Sequence, residues 1–399
     1  MILQGSFLPT AFNHQAEKGK KRKPIKEKKL VLTGKCQRRS HLAVKVEDGG
    51  GFVKTEGVHF MLNGSPFYAN GFNAYWLMFL ASDPSQRAKV TSAFQEATSH
   101  GLSIARTWAF SDGGYMPLQT YSEKMFQGLD FVISEAKKFR IKLVLSLVDN
   151  YEALGGMRQY VEWARSQGQP IASDDDFFTN PVVKCYYKNH VQTFLTRRKS
   201  ITGIAYKDDP TIMAWELMND VRCPSDPSGR TIQAWITEMA SHKQQNNPSF
   251  LVRMDFIENN QIPGIDFATV HSYPDQWLSD PSEGNQISFL SNWANTHIQD
   301  VQNVLRKPLL FAEFGISSKD LGYNQNERDQ FFDTVYSAIY SSARGGGMAA
   351  GSMFWQLLTT GMDSYQDIYE IVLSESPSTT SVIVQQSQKI NRKGRCTRA

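Results

Sequence analysis

The chain has 399 residues, of which 41% are hydrophobic and 12% aromatic, enough to bury the core of one large domain. No run approaches the roughly 18 uninterrupted apolar residues that a membrane-spanning helix requires, so we expect a soluble protein with no membrane partner. Residues 1–50 carry 12 Lys and Arg against 4 Asp and Glu, and residues 388–399 carry five basic residues and no acid. Because the net charge is only +4, the body between these ends is acidic, which argues against a nucleic-acid partner.

The basic N-terminal segment gives few functional signals. Residues 20–24, Lys-Lys-Arg-Lys-Pro, match a nuclear localisation patch, but a solvated, disordered tail is the favoured interpretation. The charged start, apolar run and small-residue cleavage site of a secretory signal are not found. The four cysteines share no short metal-ligand spacing, so we expect no metal and no disulfide framework; they are Cys36, Cys185, Cys223 and Cys396.

From about Phe52 onward, short β-rich runs alternate with longer helical patterns, as in residues 85–100 and 123–139. This alternation is typical of βα units around a parallel sheet, and we predict a TIM (β/α)8 barrel. We expect residues 1–50 to be a disordered segment, 51–387 to form the barrel domain and 388–399 to be a basic tail. Seven strands are predicted, numbers one to four and six to eight, at residues 67–73, 102–107, 141–147, 211–217, 267–271, 308–311 and 351–355.

The fifth strand does not fit this pattern. Only 49 residues separate Leu217 from Phe267, and a helical pattern over residues 231–244 occupies part of them. A barrel unit takes roughly 30 residues, so this interval holds at most one and a half units, and its only candidate strand is 250–256. Because a closed barrel cannot omit a strand without exposing the hydrogen-bonding groups of both neighbours, we predict an abbreviated fifth unit.

Polar and aromatic side chains collect at the carboxyl ends of the predicted strands, where TIM barrels carry their active sites. Any single aromatic there is as often packing as binding. Their convergence with an arginine and two carboxylates favours a carbohydrate pocket, because a sugar ring is apolar on its face and hydroxylated at its rim. The residues, in chain order, are Trp76, Arg106, Trp108, Asn219, Asp220, His271, Tyr273, Glu313 and Trp355.

Asp220 and Glu313 stand at the ends of strands four and seven. Two carboxylates across a sugar pocket indicate cleavage of a glycosidic bond, with one as acid/base and the other as nucleophile. Glu313 ends a short apolar run, Leu-Leu-Phe-Ala, and a carboxylate in such a place is either paired or functional. The structural alternative for Glu313 is an ion pair with Arg106.

Longer motifs point to a family. Residues 215–220, Trp-Glu-Leu-Met-Asn-Asp, resemble the strand-four signature of glycoside hydrolase family 5, in which the family reads Asn-Glu-Pro. Residues 311–315, Phe-Ala-Glu-Phe-Gly, resemble its nucleophile strand. Further segments are similar to plant endo-β-mannanases, at residues 68–76, 105–112, 271–275 and 354–356. The resemblance runs from about residue 51 to about residue 386 and covers neither basic end.

The resemblance implies a retaining hydrolase of internal β-1,4 links in mannan, galactomannan and glucomannan, acting as a monomer without metal or other cofactor and secreted to the cell wall. Glu313 would be the nucleophile, and Asp220 would stand at the acid/base position. The other implied roles are binding of the hydroxyl next to the reacting carbon by Asn219, orientation of Glu313 by Arg106, tuning of the nucleophile and sugar contact by His271 and Tyr273, and sugar platforms formed by Trp76 and Trp355.

Three features depart from the family. Asn-Asp-Val stands at residues 219–221 in place of Asn-Glu-Pro, the family's fifth strand has no counterpart between residues 242 and 250, and a basic segment replaces the secretion signal. Two hypotheses follow: a mannan hydrolase impaired by Asp220, or an inactive relative that keeps a carbohydrate-binding cleft. A third and weaker hypothesis gives the basic ends a nuclear or nucleic-acid role.

Overall fold

The computed structural model describes residues 6–7, 50–111, 121–152, 154–240, 256–278, 283–319 and 323–396. The strands are β1 Ser6–Phe7, β2 Val53–Glu56, β3 His59–Leu62, β4 Ser65–Pro66, β5 Ala69–Asn73, β6 Ile104–Trp108, β7 Lys142–Ser146, β8 Ile212–Glu216, β9 Ala268–Ser272, β10 Leu309–Phe314, β11 Ala349–Phe354, β12 Leu357–Leu358 and β13 Ile371–Val372. The α-helices are α1 Leu77–Ser82, α2 Arg87–Ser99, α3 Glu123–Lys138, α4 Gly156–Ser166, α5 Asp176–Thr179, α6 Pro181–Thr196, α7 Arg230–Ala240, α8 Phe256–Gln261, α9 Pro274–Trp277, α10 Glu283–Asp300, α11 Gln325–Arg344 and α12 Pro377–Cys396.

Seven parallel strands form one curled sheet in the order β8-β7-β6-β5-β11-β10-β9. All seven strands predicted from the sequence are present, and α2 and α3 confirm the helices predicted between them. Strand β10 runs three residues past its predicted end because its ladder with β9 continues to the pair Phe314 and Ser272. The two-residue strand β1 pairs antiparallel with the free edge of β8.

The sheet is a half-barrel in the described part of the chain, since β8 and β9 are not paired with each other and no parallel strand lies between them there. Helix α7 ends at Ala240, and the predicted strand 250–256 lies outside the described residues except for Phe256. Phe256 begins helix α8. The abbreviated fifth unit therefore stays a prediction.

Strand side chains alternate between two cores, as the period of two requires. In β10, Leu309 and Phe311 pack on the helix side of the sheet, whereas Leu310 and Ala312 belong to a second cluster inside its curve. That inner cluster also contains Val53 and Phe60 from the β2–β4 sheet, together with Ala69, Ile104, Val144, Met213, Ala214, Phe267, Ala350 and Met353. The inner side of the sheet is thus filled by side chains, as in barrel enzymes.

Several helices begin at residues whose side chains cap them. Ser122 accepts from the Met125 amide at the start of α3, Asn180 accepts from Val182 and Val183 at α6, and Asn324 accepts from Glu327 at α11. At the other end of the chain, α12 continues to Cys396, so the predicted basic tail begins inside a helix. The predicted segment 1–50 lies outside the described residues apart from β1 and Gly50. None of the helices in the described ranges has the length and apolar character to cross a membrane.

Candidate active site

Neighbouring strands place the predicted site residues side by side at their carboxyl ends. The β5–β6 ladder pairs Asn73 with Arg106, and the β9–β10 ladder pairs His271 with Glu313. Beyond β8 the chain continues through Asn219, which forms an isolated parallel bridge with the segment that follows β7. The structure therefore gathers at one edge side chains that are more than 200 residues apart in sequence.

Arg106 is the centre of the cluster and is fully buried. Its Nη1 donates to Glu313 Oε1 at 2.5 Å, and its Nη2 donates to Asn219 Oδ1 at 2.7 Å. Its Nε and Nη2 also donate to the carboxylate of Glu216, at 3.0 Å and 2.6 Å to Oε2. Burial alone would lower the pKa of Arg106, but the two carboxylates outweigh that effect and keep its pKa above the ordinary value. The ion pair between Arg106 and Glu313, named above as the structural alternative for Glu313, is present, and it holds Glu313 inside the cluster.

Asn73 also fixes Arg106, through the same Nη1 that donates to Glu313. Its Oδ1 accepts from Arg106 Nη1 at 2.9 Å, and its Nδ2 donates to the Ala312 carbonyl at 2.8 Å. The same Nδ2 lies 3.2 Å from the carbonyls of Met353 and Phe354. One buried amide thus ties β5 and β6 to β10 and β11, next to Glu313.

The second carboxylate oxygen of Glu313 is held by β9 and the residue that follows it. Tyr273 donates its hydroxyl to Oε2 at 2.8 Å, and His271 Nδ1 lies 3.3 Å from the same oxygen. Burial, and then the charge of Glu313, raise the pKa of Tyr273 well above its ordinary value, so Tyr273 remains a donor. With Arg106 on Oε1, Glu313 has a hydrogen-bonding partner on each oxygen.

Asp220 lies across His271 from Glu313, with Oδ1 at 3.2 Å from the same Nδ1. Two more donors reach its Oδ2: the Tyr151 hydroxyl at 3.0 Å and Arg222 Nη2 at 3.2 Å. Burial favours the protonated carboxyl, but the hydrogen bond and charge of His271 outweigh it, with help from Arg222 and Tyr151. The pKa of Asp220 is therefore below its ordinary value. Its backbone φ of +53° lies in the left-handed region, which Asp tolerates better than most residues.

The aromatic side of the site contains Trp355, which is partly exposed. Its ring stacks on Tyr75 at 6.0 Å between centroids with 11° between planes, and it lies 5.9 Å from Trp108. Its indole N–H donates to Asp367 at 2.6 Å, which fixes the ring orientation. Trp108 in turn lies under the Arg106 guanidinium, at 4.7 Å from ring centroid to Cζ.

Trp76 does not join this surface. It has no exposed area, and its indole N–H donates to the Leu357 carbonyl at 3.1 Å. Its neighbour Tyr75, which the sequence analysis did not select, is the residue that stacks on Trp355. The role predicted for Trp76 as a sugar platform is therefore corrected: the ring packs in the core and offers no face to a ligand.

Sequence reasoning missed several residues of the site: Asn73, Asp149, Tyr151, Glu216 and Arg222. Glu216 carried a usable signal, because it interrupts the apolar strand Ile-Met-Ala-Trp in the same way that Glu313 interrupts β10. Asp149 follows a run, residues 143–148, that is apolar except for Ser146. Within the described ranges, no group of three or more His, Cys, Asp or Glu residues is arranged to hold a metal ion.

Comparison with known proteins places this geometry in a family. The model described as GH family 5 beta-mannosidase-like matches residues 50–369. Mannan endo-1,4-beta-mannosidase 7 of Arabidopsis thaliana is 58% identical over 369 residues, with 86% of each chain covered. Mannan endo-1,4-beta-mannosidase 1 of Oryza sativa subsp. japonica is 58% identical over 373 residues, again with 86% of each chain covered.

Solved structures show the same fold. The endo-1,4-beta-D-mannanase of Thermotoga petrophila RKU-1 aligns with a TM-score of 0.68 and 26% identity, over 81% of this chain and 99% of that one. The endo-1,4-beta-mannanase of Rhizomucor miehei aligns with a TM-score of 0.70 and 26% identity, over 86% and 99%. The half-barrel is therefore a TIM-barrel framework, and the chain belongs to the beta-mannosidase-like members of glycoside hydrolase family 5.

Proposed function

We propose that this chain hydrolyses internal β-1,4-mannosidic linkages of mannan, galactomannan and glucomannan by a double displacement with retention of configuration. The observation that carries the proposal is the setting of Glu313, which is 5% exposed and bound by Arg106 on one oxygen and Tyr273 on the other. A carboxylate oriented through both oxygens beside a partly exposed tryptophan suits attack on the anomeric carbon of a bound sugar. Relatives named mannan endo-1,4-beta-mannosidases support the substrate class.

The spacing of the two carboxylates allows retention. Asp220 Oδ1 and Glu313 Oε2 flank one nitrogen of His271, at 3.2 Å and 3.3 Å. These two oxygens are therefore no more than about 6.5 Å apart. That limit stands at the lower end of the roughly 6.5 to 9.5 Å gap of inverting glycosidases and allows the roughly 5 to 5.5 Å of retaining ones.

In the first step Glu313 bonds to the anomeric carbon, the glycosidic carbon–oxygen bond breaks, and the leaving oxygen takes a proton from the residue at the acid/base position. In the second step that residue takes a proton from water, the water oxygen bonds to the anomeric carbon, and Glu313 is released. Asn219 would bind the hydroxyl beside the reacting carbon, while Arg106, His271 and Tyr273 orient Glu313. Trp355 would be the sugar platform.

Asp220 suits the second step better than the first. Three donors and a lowered pKa favour the ionised form of Asp220. A general base requires the ionised form, whereas a general acid requires the protonated form. Its side chain is also one methylene shorter than the family's glutamate. Activity on unactivated mannan is therefore impaired at bond cleavage rather than at release of the sugar from Glu313.

The second candidate function is carbohydrate binding without turnover. The same three donors on Asp220 favour it, since an acid that holds no proton stops the first step on a poor leaving group. Galactomannan gel retardation combined with a reducing-sugar assay separates the two. Binding with release of reducing ends supports the hydrolase, and binding alone supports the second candidate. A chain that shows neither binding nor release would contradict both candidates. Proton NMR of the first-formed product then tests retention directly.

We also propose that the protein acts in the cell wall, because β-mannans are wall polysaccharides. Fractionation of plant tissue that expresses a tagged full-length chain tests this, and tag signal confined to the nucleus would favour the third hypothesis for the basic ends.

A further inference from the structure

We propose that Asp149 is a positioning residue of this site and acts through Asn219. It fixes the carboxamide so that one Nδ2 hydrogen is directed to a sugar hydroxyl. The inference rests on the proposed function, because it takes Asn219 as the group that binds the hydroxyl next to the reacting carbon.

The backbone first brings the two residues together. Asn219 N donates to the Val148 carbonyl at 2.9 Å, and Asn150 N donates to the Asn219 carbonyl at 3.1 Å, so Asp149 and Asn219 face each other across a parallel bridge. The segment after Asp149 is secured as well, because the Asp149 carbonyl accepts from Met157 N at the start of α4, at 2.8 Å. Asp149 is 4% exposed and held in place by main-chain bonds on both sides.

The side chains then settle the orientation of the Asn219 amide. Its Oδ1 accepts from Arg106 Nη2 at 2.7 Å, and its Nδ2 donates to Asp149 Oδ1 at 2.9 Å. A guanidinium can only donate, so a flipped amide would lose its bond with Arg106 whatever the charge of Asp149, and it would also lose its bond with an ionised Asp149. Nδ2 has two hydrogens and Asp149 takes one, which leaves the other for a ligand. Asp149 Oδ1 also accepts from Tyr151 N at 3.2 Å, which holds this carboxyl in turn.

Asp149 is also a third carboxyl close to the reacting pair. The titratable groups that face it are Asp220 after β8, Glu313 on β10 and Tyr151 in its own loop. Burial is the main reason that its pKa is raised to about 7; Asp220 and Glu313 add to the rise, while the bonds from Asn219 and Tyr151 oppose it. The group therefore titrates near neutral pH, beside the amide that it orients.

The test compares Asp149→Leu with wild type on two substrates, 2,4-dinitrophenyl β-mannobioside and its analogue that lacks the 2-hydroxyl on the reacting sugar. The activated leaving group avoids the need for a strong acid at Asp220. We expect kcat/KM on the hydroxylated substrate to fall about 10-fold, the upper end for one neutral hydrogen bond, and to change little on the deoxy analogue. Asp149→Asn retains an acceptor oxygen, so it should recover part of the loss while removing an ionisation near neutral from the pH profile.

A purely structural role predicts a different result. Equal losses on both substrates, or a pH profile that Asp149→Asn leaves unchanged, would overturn the proposal. Asn219→Ala supplies the matched comparison, because the double variant with Asp149→Leu should lose no more than Asn219→Ala alone. If the wild-type chain neither cleaves nor binds β-mannosides, the proposed function fails and this inference fails with it. Equal losses in an active chain overturn the inference alone.

Discussion

Arg106 and Glu216 form an ion pair 2.6 Å long in which the Arg106 side chain has no exposed area and that of Glu216 has 3%. Glu216 occupies Nε and shares Nη2 with Asn219, so Nη1 is the guanidinium nitrogen directed to Glu313. The Glu216 carboxylate is buried and bonded to Arg106. It fixes the rotation of the Arg106 guanidinium, which in turn orients the predicted nucleophile Glu313. The planar fork of an arginine is required for this, because a lysine ammonium cannot serve both carboxylates in fixed directions.

The first prediction follows from this pair. Arg106→Met should lower the free energy of unfolding by about 3 to 5 kcal/mol, because it leaves two buried carboxylates without their cation. Urea denaturation at neutral pH measures the loss. Arg165→Met is the matched control, since Arg165 pairs with Glu162 on the surface and both side chains are more than 40% exposed. It should cost no more than about 1 kcal/mol, and equal costs for the two variants would contradict the account.

Most of the fold could be predicted from the sequence because buried parallel strands are short apolar runs between longer amphipathic helices. The exact strand ends could not, since they depend on the neighbouring ladder, as in β10. The site was predicted where a residue type is conspicuous at a strand end, as for Arg106, His271 and Glu313. Asn73, Asp149 and Tyr151 were missed because what makes them part of the site is a partner on another strand. Trp76 was wrongly selected because the sequence does not show which of the adjacent rings, Tyr75 or Trp76, points into the site and which packs in the core.

The second prediction concerns Glu313. Glu313→Ala should abolish turnover of both mannan and aryl mannosides, because Arg106 and Tyr273 orient the Glu313 carboxylate for attack and alanine has no nucleophile to replace it. Added azide should restore release of the aryl alcohol and give a product of inverted configuration, which NMR detects. Unchanged turnover in Glu313→Ala would remove this residue from the mechanism. Intact circular dichroism confirms that the variant is folded.

The third prediction uses the donors around Asp220. Tyr151→Phe removes a hydrogen bond that favours the ionised carboxyl, so the pKa of Asp220 should rise. The first step on mannan needs a protonated acid, so kcat/KM falls as pH rises through that pKa. The alkaline limb of the profile should therefore move to higher pH in Tyr151→Phe. A shift of that limb to lower pH would show that Tyr151 does not stabilise the ionised form.

The fourth prediction is a pH dependence of stability. Because the pKa of Asp149 is raised from 3.8 to about 7 in the folded chain, the folded state binds a proton more tightly than the unfolded state between these values. Stability that depends on Asp149 is therefore full below about pH 3.8 and is lost as pH rises towards 7, by at most about 1.4 kcal/mol per pH unit. The free energy of unfolding of Asp149→Asn should therefore rise relative to that of wild type as pH increases over this range. Urea denaturation of both proteins at pH 5 and pH 7 measures the difference in their free energies of unfolding. The same difference at both pH values would argue against a raised pKa of Asp149.

The last prediction restores the family residue at position 220. Asp220 withdraws its carboxyl by about 1.5 Å relative to glutamate, a carbon–carbon bond length, whereas a proton donor has to come within roughly 3 Å of the leaving oxygen. General acid catalysis is worth about 10² to 10⁴ in rate, so Asp220→Glu should raise mannan hydrolysis by up to that order. The gain should be much smaller on 2,4-dinitrophenyl β-mannobioside, whose leaving group needs little protonation.

The backbone conformation at position 220 should make Asp220→Glu less stable than wild type. Its φ of +53° suits Asp better than Glu, so Asp220→Glu should lose about 1 kcal/mol of stability, and unfolding curves must accompany the rate measurements. Asp220→Asn is the control, because it keeps the length and the backbone preference but can neither donate as an acid nor act as a base. If Asp220→Glu is folded and the rate on mannan is unchanged, the short acid is not the limiting defect, and the region between β8 and β9 becomes the place to look.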